Sequence, residues 1–199
     1  MSVVTFHILI VTMGRSTLQK MVNSLLPQLY EGDHVTILFD GVPVQNIEIG
    51  GASCQIHMEE VQEPQRYYAQ HSIRTKASTL LQQTDFVMHA DDDDIYTDDA
   101  FTILRRACTD KDTLYVAKMM CKLKNDELIP RTPEIASGNI GTPCGIIPYY
   151  LNSMAPWTNT GSGDGDFYVG IATHASRIEF IDHVIYIVRP SLLPNNLNI

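Results

Sequence analysis

The sequence predicts one α/β domain with a mostly parallel central sheet flanked by helices. Apolar, β-branched runs recur along the chain, amphipathic helical stretches separate them, and several runs stop at an acid or a glycine. In such a sheet, ligands gather at the carboxyl ends of the strands. A length of 199 residues suits a single unit that buries roughly 70% of its unfolded surface.

Taken in order, TFHILIVT from Thr5 to Thr12 is almost continuously apolar, the pattern of a strand covered on both faces. After Met13-Gly14-Arg15, residues Leu18, Met21, Val22, Leu25 and Leu26 recur at helical spacing, with Ser16 or Thr17 able to cap the start. HVTILFDG, from His34 to Gly41, reads as a second strand, and CQIHMEEV, from Cys54 to Val61, as a shorter third. A helix is expected from Tyr67 to Gln83, with Ile73, Ala77, Leu80 and Leu81 as its apolar stripe. The strand Asp85 to Ala90 follows and runs directly into Asp91-Asp92-Asp93-Asp94. Asp99 to Cys108 then reads as helix and Thr113 to Lys122 as strand. From Ile129 to Gly163 the periodicity fades, and Pro130, Pro133, Pro143, Pro148 and Pro156 mark a long structured loop suited to walling a binding site. Asp166 to His174 reads as a last helix, and IDHVIYIV within Arg177 to Val188 as a last strand. The closing SLLPNNLNI reads as an unanchored end or cut linker, so a domain of a longer protein is expected.

Composition removes several classes of function. With 44% hydrophobic and 19% charged residues the chain is far from a disordered composition. A net charge of −9 opposes general nucleic-acid binding. No apolar run approaches the roughly 18 to 20 residues of a membrane span, and the amino terminus lacks a basic n-region and cleavage site. A soluble, cytoplasmic protein is expected. Cys54, Cys108, Cys121 and Cys144 show no CxxC spacing, so neither a zinc knuckle nor a disulfide framework is indicated.

The acidic run is the most informative feature. Adjacent like charges repel by about 1 kcal/mol per pair even in water, and more near a protein interior. A divalent cation held by carboxylates offsets that repulsion, and Mg2+ or Mn2+ uses one or two carboxylates together with substrate phosphates. Strand alternation sends Asp91 toward the cleft, with Asp93 following at the turn. Asp98 and Asp99 instead suit the amino end of the next helix. A calcium EF-hand fails, because the sixth position counted from Asp91 is Tyr96 and the twelfth is Thr102.

With ILIVTMGR at the first strand, VTILFDG at the second, HSIRTKASTLLQQTDFVMHADDDD and the later GDGDFYVGIA, the chain resembles the GT-A fold of nucleotide-sugar glycosyltransferases over almost its whole length. The likeness is greatest to the large inverting family of polysaccharide synthases. Its small size and aspartate run are also similar to viral glycosyltransferases that decorate capsid proteins. The resemblance implies a Rossmann-like nucleotide-sugar-binding domain, with a nucleotide-binding half over 1–95 ending in the DxD motif and an acceptor-binding half over 96–199. It lays Asp91 and Asp93 on the DxD carboxylates, Asp93 contacting Mn2+ or Mg2+ most directly, with Asp92 between them at the nucleotide and Asp94 on the following acid. It places Thr12, Gly14 and Arg15 at the base and ribose, Asp40 at the uracil or ribose, and His71 and Arg74 on the helix facing the nucleotide, Arg74 suiting the diphosphate.

An inverting transfer needs one carboxylate to take the acceptor's proton, and the resemblance places it in GDGDFYVGI, with Asp166 expected as base and Asp164 as the alternative. Gly165 separates the two acids where the family has them adjacent. Late histidines complete the metal shell in some relatives, which singles out His174 and His183; Trp157 is expected to stack on an acceptor sugar, and Arg189 to reach a phosphate. The expected partners are a UDP-sugar donor and a glycan or glycoprotein acceptor. One rival is a sugar nucleotidyltransferase, disfavoured because Met13-Gly14-Arg15-Ser16 lacks a glycine-rich basic loop. The other is a non-catalytic module that holds a sugar or metal.

Overall fold

The computed structural model of the chain describes residues 3–62 and 69–190. Among the described residues, nine strands and four α-helices follow in the order β1 (Phe6–Thr12), α1 (Leu18–Leu25), β2 (His34–Asp40), β3 (Gln55–Val61), α2 (Ala69–Ala77), β4 (Phe86–Asp91), β5 (Ile95–Tyr96), α3 (Ala100–Ala107), β6 (Thr113–Cys121), β7 (Glu127–Ile129), β8 (Gly145–Pro148), α4 (Gly163–Ala172) and β9 (Arg177–Val188). The expected tail, residues 191–199, lies outside the described residues, as do Tyr67 and Tyr68 of the expected second helix.

All nine strands join one sheet in the order β3-β2-β1-β4-β8-β6-β9-β5, with β7 added along β6. The long ladders β1–β2, β1–β4, β2–β3 and β6–β9 are parallel, whereas β8 and the short edge pairings are antiparallel. β1 is apolar throughout because both its faces are covered. Phe6, Ile8 and Ile10 pack with α1 residues Leu18, Met21, Val22 and Leu25, while Leu9 and Val11 pack with Ile73 and Ala77 of α2 and with Leu81. The chain leaves β1 toward β2 and β3 on one side and returns to β4 on the other. That reversal opens a crevice at the carboxyl ends of β1 and β4.

Four local expectations change. Thr17 stands at the N-cap of α1, but its side chain makes no capping hydrogen bond, and the same holds for Asp99 before α3. α2 ends at Ala77, six residues short, and Leu80 is exposed while Leu81 is buried. Ser78 Oγ and Thr79 Oγ1 turn back onto the carbonyls of Thr75 and Lys76 at 2.7 and 3.0 Å, competing with the next helical turn. The proline-marked stretch contains β8, a fully buried strand between β4 and β6. α4 starts at Gly163, so Asp164 and Asp166 both fall in its first turn.

Candidate active site

The acidic run leaves the end of β4 at the crevice, and its four carboxylates go to different places. Asp92 turns inward and is fully buried. Its Oδ2 accepts a hydrogen bond from Thr12 Oγ1 at 2.5 Å and its Oδ1 one from Arg15 Nη1 at 2.5 Å. Thr12 Oγ1 in turn accepts the Gly14 N–H at 2.9 Å. Thr12, Gly14, Arg15 and Asp92 therefore form one closed network that fixes the loop after β1. Thr12 and Asp92, both expected at the nucleotide, thus have their side chains engaged inside the protein. Gly14 has φ +76°, and a Cβ there would run into the Gln45 amide, which itself donates to the Gly14 carbonyl at 3.0 Å. The guanidinium of Arg15 remains 44% exposed at the cleft.

Asp93 is partly exposed, with 20% of its side chain accessible. Its Oδ2 lies 3.7 Å from Arg15 Nη1 and 3.4 Å from Arg189 Nε, long for charged hydrogen bonds. Burial holds its carboxyl above the ordinary range; the two arginines lower it, while Asp91 and Asp92 raise it further. Asp94 is buried, and its Oδ1 accepts the Arg189 N–H at 2.8 Å. Burial and the neighbouring Asp91 push the Asp94 carboxyl up to about 8. Asp40 ends β2 at the same edge, buried, with Gly41 at φ +63° behind it.

Asp91 Oδ1 accepts a hydrogen bond from Arg74 Nη2 at 2.6 Å. The same nitrogen donates to Ala90 O at 3.0 Å, and the guanidinium carbon lies 5.3 Å from the centre of the Trp157 ring. Arg74 is only 1% exposed. The guanidinium, expected to pair with a diphosphate, is here a buried group bonded to Asp91. Tyr186, which no local signal singles out, adds a second hold, accepting the Asp91 N–H at its hydroxyl at 3.0 Å.

α4 forms the opposite wall. Two residues apart on a helix, Asp164 and Asp166 point about 200° apart, so only one can face the crevice. Asp166 is exposed, and its Oδ2 accepts from Thr158 Oγ1 at 2.7 Å, with the Thr160 and Ser162 hydroxyls at 3.3 and 3.4 Å. Asp164 is half-buried, near His71 and close enough to Asp91 to feel its charge; burial above all raises its carboxyl. Of the expected base Asp166 and its alternative Asp164, it is Asp164 whose carboxyl feels the Asp91 charge.

His71 also lies at this junction. Its Nδ1–H donates to Thr158 O at 2.7 Å, and burial lowers its pKa, with Arg74 adding to that effect and the Thr158 contact opposing it. His174 and His183, by contrast, are exposed, the first just beyond the end of α4 and the second in the middle of β9. Trp157 does not present its face to an acceptor. It is 4% exposed, stacked on Phe167 at 4.3 Å between centroids and 15° between planes, with His89 edge-on at 4.8 Å. Arg189, at the end of β9, does reach the acidic run, at the Asp93 and Asp94 contacts above.

The donor set suits a hard cation. Asp93 and Asp91 offer carboxylate oxygens at the crevice, and the upward shift of the Asp93 carboxyl, set first by burial and then by Asp91 and Asp92, marks a site where negative charge is costly without a cation. Among the described residues no group of three or more His, Cys, Asp or Glu side chains is arranged to hold a metal by itself. Two carboxylates completed by phosphate oxygens and water are what Mg2+ and Mn2+ commonly use.

No family model and no curated protein sequence matches the chain. Solved structures do. The crystal structure of S. aureus TarS 1-349 superposes with a TM-score of 0.66 at 18% identity over 92% of this chain and 60% of that one. TarS 1-349 in complex with UDP gives 0.61 at 18% identity over 92% and 60%, and in complex with UDP-GlcNAc 0.57 at 14% identity over 92% and 58%. This chain, spanning about 60% of the length of TarS 1-349, shares its fold.

Proposed function

We propose that the protein is a metal-dependent glycosyltransferase that moves a sugar from a UDP-sugar to a hydroxyl of a glycan or glycoprotein acceptor, with inversion. The observation that carries the reading is the placement of Asp91 and Asp93 at the β1–β4 crevice, with Asp164 near enough to feel the Asp91 charge, on a fold shared with a protein solved with UDP and UDP-GlcNAc. Asp93 and Asp91 would hold Mn2+ or Mg2+, which supplies charge neutralisation for a departing nucleoside diphosphate.

The chain's own residues do the rest. Arg15 and Arg189, both about half exposed at Asp93, carry positive charge to the edge where a diphosphate would lie. Arg74, from the core, fixes the Asp91 carboxylate so that its free oxygen keeps one direction. Asp40 ends β2 at the edge where the base and ribose would sit. Asp164 is the proton acceptor: as the acceptor oxygen bonds to the anomeric carbon and the bond to the diphosphate breaks, the hydroxyl proton passes to its carboxylate. Burial makes Asp164 a stronger base than an exposed carboxylate, and one acid on the acceptor side suffices for inversion.

Incubation with a panel of UDP-sugars and Mn2+ tests this. Slow UDP release supports a transferase, a requirement for pyrophosphate indicates a nucleotidyltransferase, and binding without turnover indicates a module.

A further inference from the structure

Residues 157–159 lead into the turn before α4, and they are laced along one side of α2. Trp157 N–H donates to Thr75 Oγ1 at 2.8 Å, His71 Nδ1–H donates to Thr158 O at 2.7 Å, and Ser72 N–H donates to Asn159 Oδ1 at 3.1 Å. A carbonyl only accepts, so the middle bond places the His71 proton on Nδ1. Gly163, the first residue of α4, lies against this same contact: a Cβ there would run into both His71 Nδ1 and Thr158 O. Gly165 is equally tight on the far side, where a Cβ would meet the Ser137 backbone at 2.7 Å. The first turn of α4 is therefore wedged between α2 and the loop that follows β7, and Asp164 is the residue between the two glycines.

We propose that His71 is a positioning residue for Asp164: its Nδ1–H bond to Thr158 O seats the first turn of α4 and sets where the Asp164 carboxylate points across the crevice. This rests on the reading of Asp164 as proton acceptor, and it replaces the expectation that His71 touches the nucleotide. Burial favours the neutral ring, whose Nδ1–H is the donor this bond uses. The arrangement also ties the two walls together, since α2 carries Arg74 to Asp91 from one turn and His71 to the α4 approach from the turn before.

The test compares His71→Ala with His71→Asn in the full chain, both first checked for a cooperative thermal transition. An asparagine amide can place an N–H near the position of Nδ1. Hydrogen exchange without ligand reads the seat of α4 directly, through amides such as Gly163 N–H on Thr160 O and Asp166 N–H on Ser162 O. His71→Ala should speed exchange over residues 163–168 by about 10-fold or more, and His71→Asn should stay within about 3-fold of wild type. With UDP-sugar and Mn2+, His71→Ala should lower kcat by about 10- to 100-fold with donor KM and UDP affinity within about 3-fold, and His71→Asn should recover most of the loss. Unchanged exchange in His71→Ala, or a loss that falls on UDP affinity while kcat holds, overturns the proposal. A wild-type protein that neither binds nor turns over UDP-sugars defeats the glycosyltransferase reading instead, and the ligand-free exchange measurement keeps the two failures apart.

Discussion

Replacing Asp93 by asparagine should make the metal-free protein more stable while removing its response to metal and nucleotide. The carboxylate is attracted by Arg15 and Arg189 at 3.7 and 3.4 Å, but both guanidiniums are about half exposed, and pairs of that kind contribute roughly 0 to 1 kcal/mol each. Against them stand burial of the charge and repulsion from Asp91 and Asp92, where one like-charged pair a few ångströms apart costs about 1 to 4 kcal/mol between the water and near-surface limits. The carboxyl is held above its ordinary range, so the unfavourable terms win at neutral pH. Asp93→Asn should therefore add about 0.5 to 1 kcal/mol, or about 1 to 4 °C in Tm for a domain of this size. In wild type, Mn2+ and UDP at about 100 times their Kd should add about 2.7 kcal/mol, an increment the variant should lack. Thermal melts in EDTA and in Mn2+ plus UDP read both effects. A variant that melts lower in EDTA, or keeps the ligand-induced rise, refutes the reasoning.

The neighbouring acid should behave oppositely: Asp92→Ala leaves Thr12 and Arg15 without their acceptor and should cost about 2 to 4 kcal/mol by urea denaturation, with a neutral result contradicting its structural role. Asp164→Asn should lower kcat about 100-fold or more without weakening UDP binding, whereas Asp166→Asn should stay within about 10-fold; the reverse order would move the base to Asp166. Trp157→Ala should cost about 3 to 5 kcal/mol, and a stable variant with only a raised acceptor KM would restore its role as a stacking platform. His7, bonded through Nε2 to Thr36 Oγ1, is buried with its pKa lowered to about 4, chiefly by burial, so it folds neutral. Its share of stability is present above the unfolded value near 6.5 and is lost as pH falls toward 4, roughly 3 kcal/mol in all; His7→Gln should flatten that part of a stability-versus-pH curve, and an unchanged curve would contradict it.

Elements whose identity depends on burial of a continuous run were legible. β1 reads as a strand because α1 and α2 cover both its faces, and the position of the acidic run follows from β4 lying beside it. β8 was not legible: four residues bracketed by prolines carry no period, and only β4 and β6 make Gly145–Pro148 a strand. The end of α2 was missed because Ser78 and Thr79 bond back to carbonyls, a choice the stripe of Ile73, Ala77 and Leu81 does not reveal. At the site, residue types were readable but directions were not. Nothing local distinguishes the fully buried Asp92 from the partly exposed Asp93, and choosing Asp164 over Asp166 requires knowing that α4 starts at Gly163, before both acids, rather than at Asp166. The burial of Arg74, expected on the helix facing the nucleotide, was not legible either, because only the fold brings Trp157 and Ala90 against it.

The most direct measurement is anomalous-difference density from a crystal soaked with Mn2+ and UDP. A peak within coordination distance of Asp93 and Asp91, bridging to the diphosphate with uridine toward Asp40, is the predicted result. A fully ordered crevice holding neither ion nor nucleotide, or an ion bound away from both carboxylates, would contradict it.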